Sequence, residues 1–191
     1  SGDSTFSNAP ANLANDTVRI FVDTDITASV DLTDSASLSG YHAFNDKWAV
    51  LADVTWTNWS NFQELRIEYL DVLSNQPDSV VEEAWEDSFR YSLGTTYRYN
   101  SSWTFRGGVA FDETPIPDPE HRTPRIPGED RTWVTVGAGW QATPNVSVDL
   151  AYAHLFVEDA EINHFSSSAG TIVGEYDAEV DIVSAQLTWN F

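Results

Sequence analysis

Ser88-Phe-Arg-Tyr-Ser-Leu-Gly-Thr-Thr-Tyr-Arg-Tyr99 is the stretch that decides the fold. Its odd positions read Phe89, Tyr91, Leu93, Thr95, Tyr97 and Tyr99. Its even positions read Ser88, Arg90, Ser92, Gly94, Thr96 and Arg98. Successive side chains of a strand point to opposite faces, so the segment predicts one aromatic, apolar flank and one polar flank with two guanidinium groups.

The same alternation spreads outward from it. In Trp103–Asp112, Trp103, Phe105, Val109 and Phe111 oppose Thr104, Arg106, Gly108 and Asp112. Residues 146–156 set Val146, Val148, Leu150, Tyr152 and Phe156 against Ser147, Asp149, Ala151 and Ala153. Val183, Ala185, Leu187, Trp189 and Phe191 alternate with Ser184, Gln186, Thr188 and Asn190 at the end of the chain. Shorter versions occupy residues 48–57, 134–141 and 18–32, and a weaker one residues 35–44. The pattern predicts about eight strands and no convincing helix. Residues 1–16 are expected to be extended or loop.

Connections alternate in length. Asn45-Asp46, Asn100-Ser101-Ser102 and Thr143-Pro144-Asn145 are built from turn-forming residues. Between them lie long, acidic connections at residues 59–85, 113–130 and 158–175. Short turns on one rim and long loops on the other are the habit of bacterial outer-membrane barrels. Trp48, Trp56, Trp59, Trp85, Trp103, Trp140 and Trp189 are candidates for the interfacial aromatic girdle of such a wall.

Composition narrows the alternatives. The 191 residues carry 30 acidic and 9 basic side chains, a net charge of −21, which argues against a nucleic-acid partner because phosphate needs a Lys/Arg surface. With 41% hydrophobic and 13% aromatic residues, disorder is not expected. The absence of cysteine excludes disulfides and thiolate metal sites in this chain. No methionine is present, so the sequence is expected to be a processed chain or a fragment. A mean hydropathy of −0.32 leaves a membrane barrel open, since a spanning strand needs only about 9–11 residues. The competing reading is a soluble eight-stranded barrel or sandwich with its aromatic face turned inward.

Four tracts resemble FadL-type outer-membrane long-chain fatty-acid transporters. They are Asp53-Val-Thr-Trp-Thr-Asn-Trp-Ser-Asn-Phe62, Tyr91-Ser-Leu-Gly-Thr-Thr-Tyr97, Trp103-Thr-Phe-Arg-Gly-Gly-Val-Ala-Phe-Asp-Glu-Thr-Pro-Ile-Pro117 and Arg125-Ile-Pro-Gly-Glu-Asp-Arg-Thr-Trp133. The resemblance runs from about Asp31 to Phe191 and implies an all-β, antiparallel transmembrane barrel. In that family the barrel is 14-stranded and plugged by an N-terminal hatch, so this chain reads as one barrel region, residues 1–191, from the C-terminal part. The implied function is passive outer-membrane transport of long-chain fatty acids or similar hydrophobic compounds. A small structural or adhesive barrel is the alternative. The implied partners are the hydrophobic solute, outer-membrane lipid and lipopolysaccharide, and the assembly machinery.

For an amphipathic acid, physics asks for an apolar path and a cation to meet the carboxylate. Arg90, Arg98, Arg106 and Arg131 are the lumen or rim candidates, because guanidinium forms bidentate bonds to carboxylates. The competing role is ion pairing with wall carboxylates such as Asp53, Asp112 or Asp149. Asp112 and Arg131 end the two strands joined by the proline-bearing loop, and a salt bridge between them is expected to hold it. Phe191, a terminal aromatic on an alternating strand, is similar to the signal read by the assembly machinery. No catalytic residue, cofactor or metal site is expected: His42, His121, His154 and His164 form no recognised pair, and Gly137-Ala-Gly139 lies in a strand rather than before a helix.

Overall fold

A computed structural model of the chain describes residues 2–4, 24–29, 33–70, 77–166 and 170–191. The strands in chain order are β1 Gly2–Ser4, β2 Thr24–Ser29, β3 Ser35–Ala43, β4 Trp48–Thr57, β5 Glu64–Tyr69, β6 Ser79–Glu82 and β7 Ser88–Arg98. They continue with β8 Trp103–Asp112, β9 Arg131–Thr143, β10 Val146–Val157, β11 Ala160–Ser166, β12 Gly170–Tyr176 and β13 Glu179–Trp189. One 3-10 turn, Trp59–Asn61, interrupts them. Among the described residues no helix is long and apolar enough to cross a membrane, which says nothing about strands.

Seven strands form one antiparallel sheet in the order β13-β10-β9-β8-β7-β4-β3. This wall is a meander: 44–47, 99–102 and 144–145 close one rim, and the three long connections leave from the other. At about 3.4 Å per residue and a tilt near 40°, ten-residue strands span about 25 Å, the height of an apolar membrane band. Edge strands β3 and β13 do not pair with each other, so the described wall is open.

Register fixes the two flanks. Phe89, Tyr91, Leu93 and Tyr97 lie opposite Trp56, Val54, Ala52 and Trp48 of β4, and Tyr91, Leu93 and Tyr97 opposite Phe111, Val109 and Phe105 of β8. Leu150, Tyr152 and Val148 continue that flank toward Ala185, Val183 and Leu187 of β13. It is bare: Leu93 is 53% exposed, Leu150 55% and Leu187 69%. The buried residues Ala49 and Leu155 belong to the other flank, and Trp85, Ile116, Ala160 and Ile162 lie among the long connections. A soluble barrel with an inward aromatic face would bury the first group instead.

Near the short-turn rim the aromatic rings gather. Trp48 meets Tyr97 at 4.5 Å between ring centroids, and Trp103 stacks on Trp140 at 5.9 Å. Rings at this level suit the boundary between acyl chains and water. Trp85 departs from the expected girdle: it is buried, with Phe62 and Trp59 packed edge-on at 4.9 and 5.0 Å.

The strand expected over residues 18–32 is described only at β2, and that part is not in the wall. β2 pairs with β5, which follows β4 after the 3-10 turn, so the two extend the β3–β4 hairpin beyond the rim. Among the described residues the wall holds seven strands, and the β2–β5 pair continues its β3–β4 edge past the rim. Of the extended segment expected at residues 1–16, only β1 is described, and it pairs with β2. Two connections read as loops also contain strands: β5 pairs with β6, and β11 with β12.

Candidate functional site

The polar flank borders a trough of about 740 Å³ whose lining includes Ser39, Asp53, Arg90, Ser92, Trp133 and Thr135. Pairing across the ladders arranges it in rows. The row nearest the long loops runs Arg90, Asp112, Arg131, and the next runs Asp53, Ser92, Ala110, Trp133. Below lies a row of small groups, Gly94, Gly108 and Thr135, and below that Thr96, Arg106, Gly137 and Ala151. A pale, small-residue strip thus separates two levels of charge.

The four sequence-predicted arginines fall into different settings. Arg131 Nη2 lies 2.9 Å from Asp112 Oδ2, across the strand ends that the 113–130 loop joins. Arg106 Nη1 lies 2.9 Å from Asp149 Oδ1. That bridge crosses Gly139, where a Cβ would come within 2.6 Å of Asp149 Oδ1. Arg98 points to the short-turn rim, where its Nη1 approaches the Asp46 carbonyl at 3.5 Å. Arg90 lies over the Trp133 ring, its Cζ 4.9 Å from the centroid. Asp53, the nearest trough carboxylate, is bonded instead by Ser39 at 2.5 Å and Thr55 at 2.9 Å. Trp133 was not among the residues singled out, although it sits on the polar flank by parity alone.

Above the wall, the long connections pack into a cap. Arg122, 3% exposed, donates to the carbonyls of Gly128 and Glu161 and pairs with Glu129. The Asn163 amide donates to the Pro119 carbonyl, and His164 Nδ1 to the Glu120 carbonyl at 3.0 Å. Glu83 is buried beneath this layer, and burial pushes its carboxyl above the usual glutamate range, offset in part by Trp85 and by the charges of His164, Arg125 and His121. Burial likewise raises Glu129, against the pull of Arg122. No group of three or more His, Asp or Glu among the described residues is placed to hold a metal ion.

Only one setting satisfies both flanks at once, hydrocarbon outside and water inside, and that is the wall of an outer-membrane β-barrel. The chain belongs to the outer membrane protein transport protein family (OMPP1/FadL/TodX), whose profile matches residues 1–191. It is 34% identical over 137 residues to a long-chain fatty acid transport protein of Salmonella typhi, covering 71% of this chain and 30% of that one. It is 42% identical over 118 residues to a 47 kDa outer membrane protein of Pasteurella multocida, covering 62% of this chain and 26% of that one. A Pseudomonas aeruginosa FadL homologue of known structure superposes with a TM-score of 0.79 at 30% identity, over 88% of this chain and 38% of that one. The P. putida toluene transporter TodX shares the fold, with a TM-score of 0.60 at 19% identity over 88% of this chain and 37% of that one. The chain therefore spans about a third of the length of the relatives it matches.

Proposed function

We propose that this chain supplies the C-terminal part of a barrel that carries long-chain fatty acids or similar hydrophobic compounds across the outer membrane by diffusion. One observation carries the reading: an apolar flank left bare for lipid, backed by a trough with charged levels and a small-residue strip between them. A solute with a greasy body can lie along the strip while polar groups stay wet. The names borne by the relatives, long-chain fatty acid transport protein and toluene transporter, support the solute class. Residues 1–191 act as one barrel region with no catalytic role. Lumen and rim arginines meet polar groups of the solute, the Asp112–Arg131 pair steadies the outer loop, and Phe191 takes part in assembly. Lipopolysaccharide and lipid surround the apolar flank.

The test uses the full-length protein that contains this chain, expressed in a Gram-negative host lacking its own long-chain fatty-acid transporter. Restored uptake of radiolabelled oleate is expected. Correct assembly in the outer membrane without uptake of oleate or of uncharged hydrophobic solutes would remove the transport reading and leave a structural barrel.

A further inference from the structure

We propose that Arg90, seated on Trp133, is the point at which this lumen favours carboxylate-headed solutes over uncharged ones of the same shape. The inference rests on the transport reading and adds to it the residue that sets selectivity.

The polar flank supplies several cations, but their charges are not equally available. Arg106 is engaged by Asp149 and Arg131 by Asp112, each at 2.9 Å. Arg98 lies at the short-turn rim beside a backbone carbonyl. Arg90 has no carboxylate contact among the described residues, although two acids stand close. Asp112 is directly opposite it on β8, yet turns to Arg131 on the far side. Asp53 is within electrostatic reach but holds two hydroxyls instead.

The stack determines what Arg90 can still do. The Arg90 guanidinium carbon lies 4.9 Å from the indole centroid, a cation–π contact that engages its charge while its planar fork of N–H donors meets no carboxylate among the described residues. That fork matches the two oxygens of a carboxylate. Trp133 Nε1 makes no hydrogen bond among the described residues, so the guanidinium is the polar group that accompanies the indole.

Room for the rest of the solute lies immediately below. Gly94 and Gly108 face each other across β7 and β8, and Thr135 follows on β9. A Cβ on Gly108 would meet the Leu93 carbonyl at 3.1 Å and Thr135 Oγ1 at 3.2 Å, so the strip stays shallow. A head group at Arg90 can thus lead an acyl chain down a floor with few side chains in the way. An uncharged solute uses the floor but gains nothing from the fork.

The experiment compares uptake of radiolabelled oleate and oleyl alcohol by cells carrying the full-length protein or its variants. Arg90→Gln is expected to lower oleate uptake about tenfold, the loss of a charge-assisted bond, while oleyl alcohol uptake stays within about twofold. Arg90→Lys keeps the charge without the planar fork and should fall between, and it decides the matter if the Gln variant does not assemble. Equal losses for both solutes, or no loss for either, overturn the assignment. If the unaltered protein moves oleyl alcohol but not oleate, transport stands and Arg90 loses its role; if it moves neither, the transport reading itself fails.

Discussion

At the scale of single residues, the wall is shaped by what its glycines leave out. The Arg106–Asp149 bridge spans the position where Gly139 would carry a side chain. Gly139→Ala should therefore break that bridge and cost about 1 kcal/mol, most of it from the clash, because a pair this exposed contributes little by itself. Heat-modifiable gel migration checks this: the folded band should convert at a lower temperature than in Asp149→Asn, which loses the pair without the clash. Glu83 tests the cap by pH. Its folded value is raised by burial, so its share of stability is complete below the ordinary glutamate range and is lost as pH rises through the raised value. Amide-exchange protection around residues 83–86, corrected for intrinsic rate, should fall as pH rises above the ordinary glutamate range. In Glu83→Gln the fall should disappear, and an unchanged slope there would assign the pH dependence to another group.

At the scale of elements, the 113–130 connection is fastened at its base and in its middle. Asp112–Arg131 closes the base, and Arg122 ties the middle to Gly128, Glu129 and the β11 carbonyl of Glu161. Arg122→Ala removes three contacts and leaves Glu129 under the cap without its cation, a change costing about 3–5 kcal/mol locally. Protease added to intact cells should then cut within 113–130 much faster, with the wall's gel migration unchanged. Asp112→Asn should loosen the same loop less, because Arg122 still holds it. Cleavage at the unaltered rate in both variants would mean that other contacts hold the loop.

Much of this architecture was legible because strand periodicity survives in any setting. Six of the alternating segments match β4, β7, β8, β9, β10 and β13 in place, the weaker one at residues 35–44 matches β3, and the one at residues 18–32 is described only at β2, outside the wall. β5 carried the same signal in Leu65, Ile67 and Tyr69, and β11 in Ala160 and Ile162, but short alternation among acids reads as loop. The partnership of β2 with β5 depends on two strands continuing past a rim, which no local pattern reports. Flank membership of every wall arginine followed from parity. Their partners followed in part: the two strand ends predict Asp112 with Arg131, which face each other in register, whereas no sequence pattern places Arg90 over Trp133 rather than with the same Asp112.

At the scale of the whole molecule, the outer edges of β3 and β13 have no strand partner among the described residues, and hydrocarbon does not tolerate unpaired backbone groups. In the proposed barrel further strands complete those ladders, so this chain expressed alone should fail to give a heat-modifiable species in detergent. Phe191, fully exposed beyond β13, belongs to the same scale: deleting it should lower assembled yield while leaving the melting of whatever does assemble unchanged. The central claim, the sidedness of the wall, is open to one direct measurement. These 191 residues contain no cysteine, so thiols introduced into them one at a time, in a full-length protein freed of any other cysteine, report their own surroundings. Cysteine at Leu93, Val109 or Leu150 should resist a water-soluble maleimide, and a fluorophore attached there should be quenched by spin-labelled lipid. Cysteine at Ser92 or Ala151 should label readily and escape that quenching; the opposite pattern would contradict the account.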